Sequence, residues 1–243
     1  MDNQFNNYEI VGNSTGSQAV AKPFINGVFT WMAAALGITA IVAFQFGTNV
    51  DYLSLLINPA KGGLTILGYI VMFAPFVFVL LMSAAFNRLS YPALLGIFLV
   101  YSVLMGMSLS FIFLAYTRAS IYQTFGIASG MFGLMAIVGY TTKTDLTKMG
   151  SLLMMGLLGI VLASLINMFV GSSGMQYIIS FLGVIIFTGL TAYDVQKIKI
   201  LGSEVEAGSE SSAKLAILGA LTLYMDFINL FIMLLRLFGG RRD

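Results

Sequence analysis

Neither cysteine nor histidine occurs among the 243 residues. The first absence excludes disulfides, thiolate metal sites and a cysteine nucleophile. The second excludes imidazole zinc sites, histidine-based triads and the usual switch near neutral pH. Charge is scarce too: Asp, Glu, Lys and Arg make up 9% of the chain, against about 25% in a soluble domain. Proton chemistry near pH 7 therefore falls to carboxyls or lysines in unusual surroundings.

Apolar residues fill the space left by charge. They make up 58% of the chain, and the mean hydropathy is +0.93. A soluble fold of this length leaves roughly a quarter of its chain area exposed. It has no way to hide so much apolar surface, so the exposed part faces lipid. This excludes a soluble enzyme, a disordered chain and a nucleic-acid binder. The net charge of +2 says little about partners.

A membrane-spanning helix needs about 20 mostly apolar residues. Seven stretches qualify: 24–46, 64–86, 92–116, 121–142, 149–170, 175–196 and 215–238. They are continuous rather than alternating in polarity, which predicts helices and not the strands of a barrel. The connections 87–91, 117–120, 143–148 and 171–174 are each six residues or fewer. Neighbouring helices are therefore antiparallel and packed as one bundle. The expected organisation is a flexible polar tail, 1–22, followed by one transmembrane domain, 23–243. The tail lacks the marks of a secretory signal, so the first span is read as a true membrane anchor.

Lysine and arginine in short loops set orientation. Lys22, Arg88, Lys143, Lys148, Lys197, Lys199 and Lys214 gather on the N-terminal side. Lys61, Arg118, Arg241 and Arg242 gather on the other, with Arg236 just inside and able to snorkel outward. The expected N-terminus is cytoplasmic. Glycines within spans, Gly156 with Gly159 and Gly183 with Gly189, read as close-approach surfaces between helices. Pro75, in the middle of the second span, predicts a kink.

Charges placed in lipid are costly and usually functional. Asp194 lies near the end of the sixth span and Asp226 within the seventh. The two helices are consecutive, so the carboxyls can meet. Two carboxyls in a low-dielectric site do not both ionise cheaply, and a pair would share one proton. The residues alone equally allow two separate aspartates, each hydrogen-bonded to backbone or hydroxyls. Depth bears on the choice. Asp226 lies about 18 Å along its helix from Lys214, whereas Asp194 is three residues before Lys197. The levels match only if a helix tilts or projects beyond the membrane. The loop 202–212, with Glu204, Glu206 and Glu210, could carry such projections.

Three segments resemble the Bax inhibitor-1 family of membrane proteins. Thr141-Thr142-Lys143-Thr144-Asp145-Leu146-Thr147-Lys148-Met149-Gly150 is similar to the family's loop between spans four and five. Gly189-Leu190-Thr191-Ala192-Tyr193-Asp194-Val195-Gln196-Lys197-Ile198 resembles its sixth-span signature. Leu223-Tyr224-Met225-Asp226-Phe227-Ile228-Asn229-Leu230-Phe231, with Leu234-Leu235-Arg236-Leu237-Phe238-Gly239 after it, resembles its seventh. The resemblance implies an all-α membrane protein: seven transmembrane helices, one central and six around it. It implies a calcium leak that responds to pH. The family's di-aspartyl sensor falls on Asp194 and Asp226, which would also hold Ca²⁺, and its second-span latch falls on Arg88.

The expected function is thus a pH-sensitive calcium leak channel in the inner (plasma) membrane of a bacterium. Its partners would be the bilayer, protons and Ca²⁺ as the permeant ion, with no tightly bound cofactor, no nucleic acid and no enzymatic activity. Calcium prefers six to eight oxygens. Two aspartates supply at most four, so binding should be weak, which suits a leak. The alternative is a membrane-embedded regulator that binds and restrains other membrane proteins, such as a protease or a cell-death or stress factor. An intramembrane aspartyl protease is a distant third. Leu223, Tyr224 and Met225 precede Asp226 where such enzymes carry Gly-x-Gly, and the only Pro-Ala-Leu, at Pro92, lies far upstream. A retinal protein would need a lysine deep in the last span, and Lys214 sits at its edge.

Overall fold

The computed structural model describes residues 14–58, 62–85, 88–206 and 208–242. Most of the expected tail, 1–13, lies outside them. The helices are α1 (Ser14–Thr48), α2 (Val50–Leu56), α3 (Ile66–Ala85), α4 (Tyr91–Leu109), α5 (Ile112–Ala115), α6 (Arg118–Thr141), α7 (Thr147–Val170), α8 (Ser173–Glu204) and α9 (Glu210–Phe238). A two-residue hairpin, β1 (Ile57–Asn58) with β2 (Gly63–Leu64), joins α2 to α3. Six helical stretches are long and apolar enough to cross a membrane, and Ile66–Met82 of α3 is a shorter apolar helix. This is an all-α membrane protein.

Each expected span has its helix, with differences at the ends. The third span is broken: α4 stops where the Ser110 hydroxyl turns back onto the Met107 carbonyl, and α5 follows. α3 continues through Pro75. α7 ends at Gly171, whose φ of 67° lets its N–H close on the Asn167 carbonyl at 2.8 Å. α8 runs eight residues past the expected end of its span. Much of the expected loop 202–212 is therefore helix. Ser209 caps α9 by accepting from the Ser212 N–H at 3.1 Å.

α9 is the central helix. About half of its residues are buried, whereas α7 buries only Gly150 and Ile160. α9 packs on α1, α4, α6 and α8, while α3 leans mainly on α4 and α7 mainly on α8. The outer face of α7 carries Leu152, Met155, Leu158, Leu162 and Phe169, all exposed, which only a hydrocarbon solvent tolerates in one patch. Within the bundle, the Thr39 hydroxyl of α1 donates to the Ser102 carbonyl of α4 at 2.8 Å. That leaves it to accept from the Tyr224 hydroxyl of α9 at 2.7 Å. Rings of Phe98 and Tyr101 stand edge-on to Tyr224. Lipid tails are as apolar as the bundle interior, so polar ties and close packing, not hydrophobicity, hold such helices together.

Glycine contacts differ from the expectation. A Cβ on Gly183 would press on Met233 of α9, one on Gly189 on Leu153 of α7, and one on Gly156 on Ile186 of α8. Gly159 faces open space and makes no close approach. Where two long helices meet backbone to backbone, the tightest approach is at Gly139 of α6, where a Cβ would strike the Ala192 carbonyl of α8.

Candidate functional site

Helical spacing puts Leu190, Tyr193, Asp194 and Lys197 on one face of α8, and Thr222, Met225, Asp226 and Asn229 on one face of α9. The two faces line a cavity of about 290 Å³, closed on a third side by Met154 and Leu157 of α7. The Asp194 and Asp226 side chains face each other there, close enough to interact directly. A carboxylate only accepts, so a hydrogen bond between the two forms only when one of them carries a proton. Asp226 is buried, at 6% exposure, and Asp194 is half-buried. The buried Oδ2 of Asp226 has no hydrogen-bond partner among the described residues.

Helix length resolves the depth mismatch. With 32 residues, α8 is about 48 Å long, well beyond a hydrocarbon core of about 30 Å. Lys197 thus does not mark the end of its helix. Its ammonium lies 6.0 Å from the centre of the Tyr193 ring, at the rim of the same cavity.

Arg88 stands apart. It is exposed in the turn between α3 and α4, and among the described residues no ion pair joins it to Asp194 or Asp226. Arg236, exposed in the last turn of α9, borders a separate polar cavity with Asn167 and Gln176.

Gln196 escaped the sequence reading. Two residues beyond Asp194, it accepts from the Leu146 N–H at 2.9 Å and donates to the Thr144 carbonyl at 2.8 Å. Three residues further, the Lys199 ammonium donates to the Tyr140 carbonyl at 2.7 Å and lies 5.0 Å from the Tyr140 ring centre. The cytoplasm-expected end of α8 therefore clamps the α6–α7 connection. The available signal was an amide and two lysines continuing a helical face past the apolar run. In that connection the Asp145 carboxylate accepts from the Thr147 N–H at 2.9 Å and its hydroxyl at 2.6 Å. These bonds hold Asp145 below the usual carboxylate range, so it stays ionised near neutrality.

The three segments that carry the resemblance thus converge. The 141–150 connection is held by α8, and α8 presents Asp194 to Asp226 of α9. No group of three or more acidic residues that could hold a metal ion gathers among the described residues.

Residues 21–243 match the protein family described as inhibitor of apoptosis-promoting Bax1. The chain is 43% identical over 226 residues to the inner membrane protein YbhL of Escherichia coli (strain K12), covering 93% of this chain and 94% of that one. It is 44% identical over 224 residues to a protein of Borreliella burgdorferi, covering 92% and 94%. It is 36% identical over 233 residues to a membrane protein of Streptococcus pyogenes serotype M1, covering 94% and 97%. On this likeness along nearly its whole length, the chain belongs to the Bax inhibitor-1 family of membrane proteins.

Proposed function

We propose that the protein is a pH-sensitive calcium leak channel of a bacterial inner membrane, with Asp194 and Asp226 as its joint proton and Ca²⁺ sensor. The observation that carries this reading is the contact between the two carboxyls across α8 and α9, in a chain without histidine. Protons and calcium compete for the same oxygens. The pair gives at most four. Asn229 and Thr222, each with a side-chain oxygen, line the same cavity, and water completes the shell of six to eight. Such a site holds calcium loosely, as a leak demands. The test is reconstitution of purified protein into liposomes loaded with a calcium dye. Calcium entry that tracks pH supports the proposal, and tight liposomes at every pH end it.

The regulator reading rests on the family description, which names inhibition of a cell-death factor. It predicts effects on partner proteins from a chain that conducts nothing alone. The same liposomes separate the two.

In this proposal Arg88 acts as a latch only in a conformation where its turn moves toward the pair. Arg88→Ala is then expected to change the leak several-fold at neutral pH while leaving the melting temperature in place. An alanine variant with wild-type leak at all pH values removes Arg88 from the mechanism.

Orientation is proposed from the loop charges. The chain lacks cysteine, so a single introduced thiol reports cleanly. A cysteine at Thr144 is expected to resist an external impermeant thiol reagent, and one at Gly240 to be labelled. The reverse pattern would place the N-terminus outside.

A further inference from the structure

At the membrane end opposite the α6–α7 connection, an apolar cavity of about 250 Å³ opens between α1, α5, α6 and α9. Ala43, Phe113, Ile121 and Phe231 form its buried walls, and Phe44 and Tyr122 form its rim, 41% and 55% exposed. The slot therefore opens sideways, towards lipid. Thr39 lies at its inner end, but the Thr39 hydroxyl is already committed to Ser102 and Tyr224. The interior offers a guest almost nothing to hydrogen-bond, so it suits a hydrocarbon chain. An apolar cavity of roughly 150 Å³ is enough for a benzene molecule.

The mouth is chemically different. Arg118 opens α6 one turn before Ile121 and Tyr122, and so shares their face. The C-terminal segment is stitched to the same corner. Thr117 N–H donates to the Gly240 carbonyl at 3.0 Å, Gly240 N–H to the Ser120 hydroxyl at 2.8 Å, and Arg242 N–H to the Ala115 carbonyl at 3.0 Å. Arg241 bridges to Tyr116. The Arg242 guanidinium reaches the carbonyl of Phe113, whose ring lines the slot, at 3.5 Å. Among the described residues no carboxylate pairs with Arg118, Arg241 or Arg242. Guanidinium groups match phosphate oxygens two at a time, and two arginines flank this end of the slot: Arg242 beside Phe113, and Arg118 one turn before Ile121 and Tyr122.

We propose that this slot binds an anionic phospholipid, with one acyl chain between α1 and α6 and the phosphate at Arg118 and Arg242. Apolar lining alone would be indifferent to headgroup. The arginines make the site select negative charge.

The experiment is thermal unfolding of the purified full chain in a neutral maltoside detergent, with dioleoyl phosphatidylglycerol or dioleoyl phosphatidylcholine added. The acyl chains are identical, so any difference reports the headgroup. A ligand that binds only the folded state raises the melting temperature by mass action. Phosphatidylglycerol is expected to raise it by about 5 °C, a typical shift for a chain of this size at saturating ligand. Phosphatidylcholine and free glycerol phosphate should leave it within about 1 °C. Arg118→Gln with Arg242→Gln should remove the phosphatidylglycerol shift; both residues are exposed, so the fold should survive. Ala40→Phe puts a ring at the lipid-facing edge of the slot and should also remove the shift with every charge intact. Arg236→Gln, at the same membrane end but bordering the separate cavity of Asn167 and Gln176, should leave it unchanged. Equal shifts for the two lipids overturn the proposal. So does a shift that survives the double arginine variant or Ala40→Phe, or one that free glycerol phosphate reproduces. Should Ala40→Phe fail to fold, spin-labelled phosphatidylglycerol added to the wild type and the arginine variant decides between them. An immobilised lipid fraction in the wild type only supports the site, and equal fractions refute it.

Discussion

Asp226→Asn is expected to yield a channel whose calcium leak no longer follows pH near neutrality, and Asp194→Asn is expected to do the same. The reason lies in the contact between the two side chains. If one proton is shared, the pair titrates as a unit and neither residue has a transition of its own. Removing either partner removes the whole switch. A one-proton switch changes by at most about tenfold per pH unit. Each single variant should flatten that response to less than about twofold across pH 6 to 8. The double variant should be no flatter, whereas independent sites would add in free energy. The substitution is also mild for the fold. The amide introduced by Asp226→Asn can donate to the Asp194 carboxylate, keeping the helix contact while abolishing the exchangeable proton. Leak rate against pH in liposomes, for the wild type, both singles and the double, is the measurement. Full retention of the wild-type profile in either single variant sinks the shared-proton mechanism.

The seven spans are legible in the sequence because lipid imposes one strict demand, about 20 apolar residues per crossing. What lies beyond the hydrocarbon is under no such demand, and there the sequence says less. Lys197 and Lys199 look like a membrane edge, yet α8 continues to Glu204, and both ammonium groups lie near rings, with Lys199 also donating to a carbonyl. The seven-residue α2 and the two-residue strands of its hairpin are too short for periodicity to register. The break at Ser110 hides inside an uninterrupted apolar run. Asp194 and Asp226 stand out as carboxyls in spans. Their contact could not be read from spacing, because it depends on how far α8 projects. The role of Gln196 is not legible in the sequence, because its partners at Thr144 and Leu146 are some 50 residues away and are backbone groups, which carry no mark there.

Glycine shows the same limit, and it carries the other large expected effect. A count of small residues cannot tell a face that meets a helix from one that meets lipid. Gly133 and Gly139 both lie in α6, and composition treats them alike. A Cβ at Gly133 meets nothing within 4 Å, while one at Gly139 strikes the Ala192 backbone carbonyl. Backbone does not move aside as a flexible side chain does, so α6 and α8 must separate. Gly133→Ala is expected to hold or raise stability, since alanine is favoured over glycine within a helix by up to about 1 kcal/mol. Gly139→Ala carries the same propensity gain, but overpacking costs about 1–3 kcal/mol and outweighs it. In a chain of this size each kcal/mol moves the melting temperature by about 2–4 °C. Gly139→Ala should therefore melt several degrees below Gly133→Ala, which should melt at or above the wild type. Function should follow the same divide. Ala192 lies two residues before Asp194, and Gly150, on the far side of the α6–α7 connection, is itself pressed against the Tyr193 ring. Moving α8 away from α6 pulls at the clamp formed by Gln196 and shifts Asp194 relative to Asp226. Gly139→Ala should blunt the pH response of the leak with both aspartates present, and Gly133→Ala should leave it intact. If the two variants melt together and leak alike, the α6–α8 contact does not set the position of the pair.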